Sequence, residues 1–216
     1  MCSNRIMSDT TGGQTHWESV YHTKRDDEVS WYQAVPSRSL ALVLAAAPST
    51  EAAIIDVGGG ASRLVDALCA AGYRHVTVLD LSARALEIAR TRLGDAGAGV
   101  RWVAADVLTH PFEPASIDVW HDRAVLHFLT SDEQQRAYAA QVRCAVAPGG
   151  TVVIEGFAPD GPERCSGLPV HRHSEDSLAA LLGAGWTRVD SGRDEHITPS
   201  GSVQRFVWAV FRSDRT

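Results

Sequence analysis

The sequence predicts a single α/β domain built on a largely parallel sheet. Short apolar segments alternate with helical patterns between positions 53 and 157, and this alternation is typical of βαβ units. The last two predicted strands are joined by a polar loop without a helix, which favours an antiparallel pair. A length of 216 residues suits one domain with a substantial core.

Apolar periodicity places the individual elements. The strands are runs of apolar and β-branched residues, predicted at 53–57, 75–79, 100–104, 117–120, 151–157, 186–191 and 203–211. The helices carry apolar residues one turn apart, predicted at 37–46, 62–71, 83–93, 131–146 and 174–184. Ser37 is expected to cap the first of these helices, because serine side chains accept from free N–H groups at a helix start.

The N-terminal fifth of the chain differs from the rest. Residues 1–15 are polar and are predicted to be a disordered tail. Residues 16–216 are expected to form one domain, in which 16–50 make a lid and helical segment. The part from 16 to 36 is both aromatic and charged, and is expected to be ordered but irregular. No signal-peptide core or membrane-length apolar run is present, so a cytoplasmic location without membrane contact is expected.

The charge balance argues against a nucleic-acid partner. The chain carries 20 Lys and Arg against 26 Asp and Glu, a formal net charge of −6. Proteins that grip phosphate backbones usually show a basic patch, whereas the arginines here are scattered. The sequence leaves open whether the protein is a monomer or a homodimer.

The strongest local signal is a glycine-rich turn after the first strand. Asp56 and Val57 run into Gly58, Gly59 and Gly60, and glycines at such a turn let a ligand approach the backbone. Asp80 ends the next strand, 22 residues after Gly58, where an acid is placed to bind ribose hydroxyls. The dinucleotide fingerprint fits poorly because its sixth position is Arg63, and Asp56 suits a cationic ligand better than a pyrophosphate.

Five motifs in order give the chain a family resemblance. DVGGG, LDLS with Asp80, AADV with Asp106, IDVWHDRA, and APGG followed by TVVIEGF resemble the successive motifs of class I S-adenosylmethionine-dependent methyltransferases. The resemblance implies a Rossmann-like three-layer sandwich with S-adenosylmethionine as cofactor. It also implies a seven-stranded sheet in the order 3-2-1-4-5-7-6, with strand 7 antiparallel.

The resemblance also assigns roles around the cofactor. Asp80 would hold the ribose hydroxyls, with Leu81 packing near the adenine. Asp106 and Val107 would meet the adenine edge. The methionine end would be lined by Asp56, Gly58, Gly60 and His121, the last expected just past strand four.

A narrower resemblance concerns the acceptor. EVSWYQ, HDRAVLHF and APDGPERCSGLPV are similar to bacterial members related to thiopurine and thiol methyltransferases. This implies a small-molecule acceptor, with a thiol or other soft nucleophile favoured. The alternatives are a protein-lysine methyltransferase, a nicotinamide-dependent oxidoreductase, and a protein that binds S-adenosylmethionine without catalysis.

Several residues are candidates for the acceptor side. Trp31, beside Tyr32, either closes over the cofactor or anchors the core. Asp122 and Arg123 either act in catalysis or clamp the loop after strand four. His127, one helical turn beyond Arg123, is either a general base or a satisfied polar residue.

Cys165 lies in a Pro- and Gly-rich segment, 158–170, that suits either a substrate lid with a functional thiol or a packed loop. Together with His171 and His173 it does not form a known zinc pattern, so no metal is expected.

Overall fold

A seven-stranded sheet forms the centre of the computed structural model, which describes residues 10–216, with side-chain surroundings from Gly13 onward. The strands are β1 Ala53–Val57, β2 His75–Asp80, β3 Arg101–Ala104, β4 Ile117–Arg123, β5 Val146–Phe157, β6 Arg164–Cys165, β7 Leu168–Pro169, β8 Trp186–Ile197 and β9 Val203–Ser213. The sheet order is β3-β2-β1-β4-β5-β9-β8, and β6 pairs with β7 in a separate hairpin. Because β9 runs antiparallel to β5 and β8, the predicted order and direction are confirmed.

The helices flank this sheet. They are α1 Thr10–Thr23, α2 Ser37–Ala46, α3 Leu64–Ala70, α4 Ala83–Leu93, α5 Asp132–Ala145 and α6 Glu175–Leu182, with single 3₁₀ turns at Gly94–Gly97 and Leu126–Phe128. Within residues 10–216, none of the helices has the length and apolar character needed to cross a membrane.

Alternate side chains of the central strands feed two separate cores. Ile54 packs with α2, α3 and α4 on one face of the sheet. Its neighbour Ile55 packs with α5 and α6 on the other face. The two-residue period of a strand therefore divides the apolar residues between the faces, and the result is three layers.

The N-terminal prediction needs correction. Helix α1 begins at Thr10, so the expected disorder is wrong for residues 10–15, while residues 1–9 lie outside the described part. The expected irregular segment is also helical up to Thr23. The Glu18 carboxylate accepts the Ala83 N–H at 2.7 Å at the start of α4, and this tertiary contact docks α1 over the sheet edge.

Side-chain caps define the starts of three helices. Ser82 caps α4, Ser131 forms a capping box with Gln134 at α5, and Ser174 caps α6. Ser37 does not cap α2, contrary to prediction. It is the first helical residue, and Pro36 before it makes no side-chain capping bond.

Strand β4 is longer than predicted. The apolar run ends at Trp120, but the strand continues through His121 and Asp122, which pair with β1 and β5 on either side. These polar residues therefore belong to a central strand, and the expectation that His121, Asp122 and Arg123 follow the strand on a loop is wrong. Buried polar partners make this extension possible.

Asp122 fixes the turn that follows β4. It is fully buried and accepts the Val125 N–H at 2.8 Å and the Leu126 N–H at 3.1 Å. The Tyr138 hydroxyl donates to Asp122 at 2.7 Å and accepts the Trp120 indole N–H at 2.9 Å. Burial raises the pKa of Asp122 to about 6, while the hydrogen bond from Tyr138 opposes that rise. The network holds a turn that lines the functional site.

Tyr138→Phe tests this network. Removal of the hydroxyl leaves the buried Trp120 N–H without its partner and takes one of two hydrogen bonds from Asp122 Oδ2, which keeps the Leu126 N–H. The free energy of unfolding should therefore fall by roughly 1–3 kcal/mol. Urea unfolding measures the change. Tyr73→Phe is the matched control, since its hydroxyl donates to the Ala47 carbonyl rather than to a carboxylate, and a smaller loss is expected. Equal losses in both variants would contradict the role given to Asp122.

Candidate functional site

Two adjacent cavities lie at the carboxyl ends of β1, β2 and β4. The larger has a volume of about 130 Å³ and the smaller of about 50 Å³. Four residues line both: Tyr21, Trp31, Gly58 and Arg123. In open α/β sheets ligands bind at this edge, so the two cavities together form the candidate site.

The glycine turn makes room for a ligand between β1 and β4. Gly58 has φ +68°, and a Cβ built there would lie 2.0 Å from Val125 Cγ2. Gly60 has φ +43°, and its Cβ would lie 2.9 Å from Asp80 Oδ2. Side chains at these two positions would be strained and would collide with neighbours. The turn therefore exposes backbone rather than side chains to the cavities.

Asp80 borders the larger cavity at the end of β2. Its Oδ1 accepts the Ser82 N–H at 2.8 Å. Burial raises the pKa of Asp80 to about 7, and the Asp56 and Glu18 carboxylates add to the rise against backbone hydrogen bonds from Ser82 and Gly60. A ligand that donates hydroxyl groups to this carboxylate would stabilise its charged form.

The other residues expected near an adenine line the same cavity. Leu81 follows Asp80, and Asp106 and Val107 follow β3. Asp106 Oδ1 accepts the Leu108 N–H at 2.8 Å, which fixes the turn after β3. The structure thus brings Asp80, Leu81, Asp106 and Val107 together at one end of the larger cavity.

A chain of buried charges lies beneath the smaller cavity. His121 Nδ1 is 2.7 Å from Asp56 Oδ1, and His121 Nε2 is 3.5 Å from Glu155 Oε1. Burial disfavours the imidazolium, but the Asp56 and Glu155 carboxylates outweigh it and raise the pKa of His121 to about 10. The Ser39 hydroxyl donates to Glu155 at 2.6 Å. His121 is therefore a buried cation shared by two acids.

Glu155 and Ser39 were missed by sequence reasoning. Burial would raise the pKa of Glu155, but hydrogen bonding and charge from His121, with help from Arg123, lower it overall. The signal was available, since Glu155 is the one acid inside the apolar strand TVVIEGF. Buried acids need partners, and this one predicts a cation nearby.

Arg123 stands where the two cavities meet. Its Nη1 donates to the Trp31 carbonyl at 3.3 Å, and its Nε lies 3.9 Å from Glu155 Oε2. The guanidinium carbon sits 4.6 Å from the centre of the Phe206 ring. Burial lowers the pKa of Arg123, with Glu155 opposing, yet arginine stays charged at neutral pH. The site therefore holds a cation at its junction.

An aromatic wall from the N-terminal region covers the site. Trp17 and Tyr21 on α1 pack edge-on against Trp31, with ring centroids 5.6 Å and 6.3 Å apart. Trp31 also packs against the buried cluster around Phe157, so it both covers the cavities and anchors the core. Tyr32 lines the smaller cavity beneath Arg63. Sequence reasoning missed Trp17 and Tyr21, whose spacing of one helical turn was the available signal.

The structure places His127 away from the cavities. It is fully buried in the 3₁₀ turn, with its ring 4.7 Å from Phe157 and 4.4 Å from Phe128. Both ring nitrogens lack a hydrogen-bond partner among the described residues. Burial lowers the pKa of His127 to about 3. A base must reach the proton that it removes, so this geometry does not support His127 as the base. Asp122, also outside the cavity lining, has the structural role described above.

Cys165 does line the larger cavity. It lies in β6, in the short hairpin formed by the Pro- and Gly-rich segment, and is 5% exposed. Burial raises the pKa of its thiol to about 11, against the opposing charge of Arg123. Within residues 10–216, no three His, Cys, Asp or Glu side chains are grouped to hold a metal ion.

Comparisons with known proteins identify the family of the chain. Residues 54–150 match the family described as "Methyltransferase domain". An uncharacterised methyltransferase of Mycobacterium tuberculosis is 30% identical over 159 residues, which cover 74% of this chain and 73% of that protein.

Solved structures are similar over nearly the whole chain. The 1,6-didemethyltoxoflavin-N1-methyltransferase of Burkholderia thailandensis, solved with 1,6-didemethyltoxoflavin and S-adenosylhomocysteine, is 25% identical with a TM-score of 0.72, covering 98% of this chain and 93% of that one. An S-adenosylmethionine-dependent methyltransferase of Anabaena variabilis shares the fold, with 15% identity, a TM-score of 0.74 and 99% of both chains covered. The chain belongs to the S-adenosylmethionine-dependent methyltransferases of the class I fold.

Proposed function

We propose that this enzyme transfers a methyl group from S-adenosylmethionine to a small molecule bound in the larger cavity. The observation that carries the proposal is the continuity of that cavity. It runs from Asp80 and Asp106 past Gly58 to a largely apolar end. We call this end of the cavity the acceptor chamber; it is lined by Trp17, Ala124, Val125, Phe128, Leu129 and Cys165.

The residues present fit the cofactor. Asp80 would accept the ribose hydroxyls, which would offset the cost of burying its charge. Leu81, Asp106 and Val107 would surround the adenine. The glycine turn at Gly58 and Gly60 would admit the methionine end into the smaller cavity, above Asp56 and His121. In this arrangement Trp31 would face the sulfonium at the junction, where an aromatic ring favours a cation.

The proposed catalysis rests on positioning. When bound, the cofactor supplies a methyl group on positively charged sulfur, an already activated donor. The chain's task is to hold the acceptor in line, exclude water and fix the reacting distance. Trp17 and Phe128, whose ring centroids are 5.0 Å apart, would hold the acceptor on one side and Cys165 on the other. The protonated thiol of Cys165 would act by packing rather than as a base.

Two observations favour a small acceptor over a protein lysine. The acceptor chamber lies beneath α1 and the β6–β7 hairpin, and its wall is largely apolar. Arg123 at its inner end would repel a lysine ammonium. The Burkholderia neighbour, solved with a small heterocycle, supports the same choice. The preference for a thiol or another soft nucleophile stays a prediction.

A panel of acceptors tests the function. Small thiols, phenols and nitrogen heterocycles should give S-adenosylhomocysteine release above the rate with water, measured by chromatography. Basic proteins should not. Release with basic proteins alone would favour the protein-lysine alternative, and binding of cofactor without release from any acceptor would favour a non-catalytic binder.

Asp80→Asn tests the cofactor site. Loss of the carboxylate should weaken S-adenosylmethionine binding by about tenfold or more, since charge-assisted hydrogen bonds are worth roughly 1.5–3 kcal/mol. Isothermal titration calorimetry measures the dissociation constant. Asp95→Asn, an exposed aspartate in the 3₁₀ turn after α4, is the control and should bind normally. Unchanged affinity in Asp80→Asn would remove the ribose role.

The raised pKa of Asp80 makes binding pH-dependent. The carboxylate is the form that accepts hydroxyls, and in the free protein it protonates below about pH 7. Affinity should therefore be constant above that pH and fall by up to about tenfold per pH unit below it. Asp80→Asn should lose this dependence. An affinity in the parent protein that does not change between about pH 8 and about pH 5, roughly one unit above and two units below the pKa of Asp80, would contradict the assignment.

Cys165→Ser separates packing from cofactor binding. The variant should keep the affinity for S-adenosylmethionine, because Cys165 lies in the acceptor chamber, and should raise KM for the acceptor found in the panel. Steady-state kinetics and calorimetry measure the two effects. A variant with unchanged KM and kcat would show that the thiol contributes nothing to the acceptor site.

A further inference from the structure

Charge is distributed unevenly along the larger cavity. Of its lining residues, Asp80, Asp106 and Arg123 are charged. Asp80 ends β2 and Asp106 follows β3, whereas Arg123 ends β4, two and three strands away across the sheet. Neighbouring strands are about 4.8 Å apart, so about 10–14 Å separates the acids from the arginine. Arg123, at the junction of the two cavities and next in sequence to Ala124, is therefore the charged lining residue beside the acceptor chamber.

The acceptor chamber offers no base for a proton. His127 lies behind its wall, packed between Phe128 and Phe157, and burial lowers its pKa. The Cys165 thiol stays protonated at neutral pH because burial raises its pKa. An acceptor that had to lose a proton during the reaction would find no described side chain in the chamber to take it.

Arg123 has donor capacity left for a ligand. Its guanidinium carries five N–H donors, and the interactions described above engage Nη1 with the Trp31 carbonyl and Nε, at 3.9 Å, with Glu155. Burial lowers the pKa of Arg123, and four nearby groups oppose this: the carboxylates of Glu155, Asp194 and Asp56 and the Cys165 thiol. The charge of Arg123 in turn contributes to the lowered pKa of His127 and of His196. Arg123 lines both cavities, so it faces the place where cofactor and acceptor would meet.

We propose that the acceptor is a small aromatic anion, ionised at its reacting atom at neutral pH, and that Arg123 is the specificity-determining residue that binds this anion. The inference rests on the proposed function and names its substrate class: acidic phenols, acidic heteroaromatic thiols and N–H heterocycles that ionise near neutrality. The apolar chamber accepts the ring, and the arginine selects the charge.

This choice accounts for the missing base. The anion's lone pair forms the bond to the methyl carbon, the carbon–sulfur bond breaks, and its electron pair stays on the sulfur of S-adenosylhomocysteine. No proton is released. The acceptor's charge and the donor's charge cancel in the step, and a poorly solvated chamber favours that cancellation.

The test uses 4-nitrophenol as a probe of ionisation, because its phenolate absorbs at longer wavelength than the neutral phenol. The full-length protein is saturated with S-adenosylhomocysteine and titrated at a pH at which most of the free probe is protonated. We expect the bound probe to show the phenolate spectrum. We also expect phenol, which is far less acidic, to bind at least about tenfold more weakly, as for loss of a charge-assisted hydrogen bond.

Arg123→Gln assigns the effect to the arginine. With the variant also saturated with S-adenosylhomocysteine, 4-nitrophenol should bind at least about tenfold more weakly than to the parent and as the neutral phenol. Arg193→Gln, an exposed arginine on β8, is the matched control and should keep the parent's spectrum. If Arg123→Gln does not fold, Arg123→Lys, which keeps the positive charge, is the second variant. The spectrum of the probe bound to the parent protein still tests whether the acceptor binds as an anion.

Three results would overturn the inference: a neutral probe bound to the parent protein, equal affinity for phenol and 4-nitrophenol, or no binding of either to the complex. A phenolate spectrum that persists in folded Arg123→Gln would remove the arginine's role. These outcomes are distinct from failure of the proposed function, in which the acceptor panel gives no S-adenosylhomocysteine from any small molecule.

Discussion

Val125 packs against Gly58 so closely that no side chain fits between them, and the site depends on this approach. A Cβ at position 58 would lie 2.0 Å from the valine side chain. Val125 is held there because Asp122 binds its N–H, and Asp122 is in turn held by Tyr138. A buried network in the core therefore sets the width of the candidate site at this turn. The glycine is required by packing as well as by its positive φ.

The buried charges beneath the site are paired with one another. Asp56 and Glu155 are balanced by His121 and Arg123, so the buried group carries no large net charge. Unpaired charges at this depth would be costly. The pairing leaves Arg123 at the junction of the cavities, facing the chamber where the acceptor would bind. Arg123 therefore helps to balance the buried acids and is also the residue proposed to select the acceptor.

The sequence predicts the sheet well because its signals are local. β1 and α4 have the predicted bounds, since a buried apolar run and a regular helical pattern are each closed by clear stop residues. Asp80, Asp106 and the glycine turn come together because parallel strands end at one edge. These positions follow from topology alone.

Tertiary packing explains what the sequence did not predict. Helix α1 contains glycines and threonines of low helix propensity, and it is stabilised by docking Trp17 and Tyr21 on the sheet edge. Strand β4 continues through polar residues because their partners come from β1, β5 and α5, far away in sequence. His127 has the expected spacing from Arg123, but spacing does not say that its ring faces the core. Glu155 is an exception, because it could have been identified from the sequence alone as the one acid in an apolar strand.

The most direct measurement of the central claim is a crystal structure of the protein with S-adenosylhomocysteine. The nucleoside should lie in the larger cavity with both ribose hydroxyls on Asp80, and the homocysteine chain should pass over Gly58 into the smaller cavity. A ligand bound elsewhere, or a cavity closed by Tyr21 and Trp31 with the ligand excluded, would contradict the claim that this turn and this carboxylate form the cofactor site.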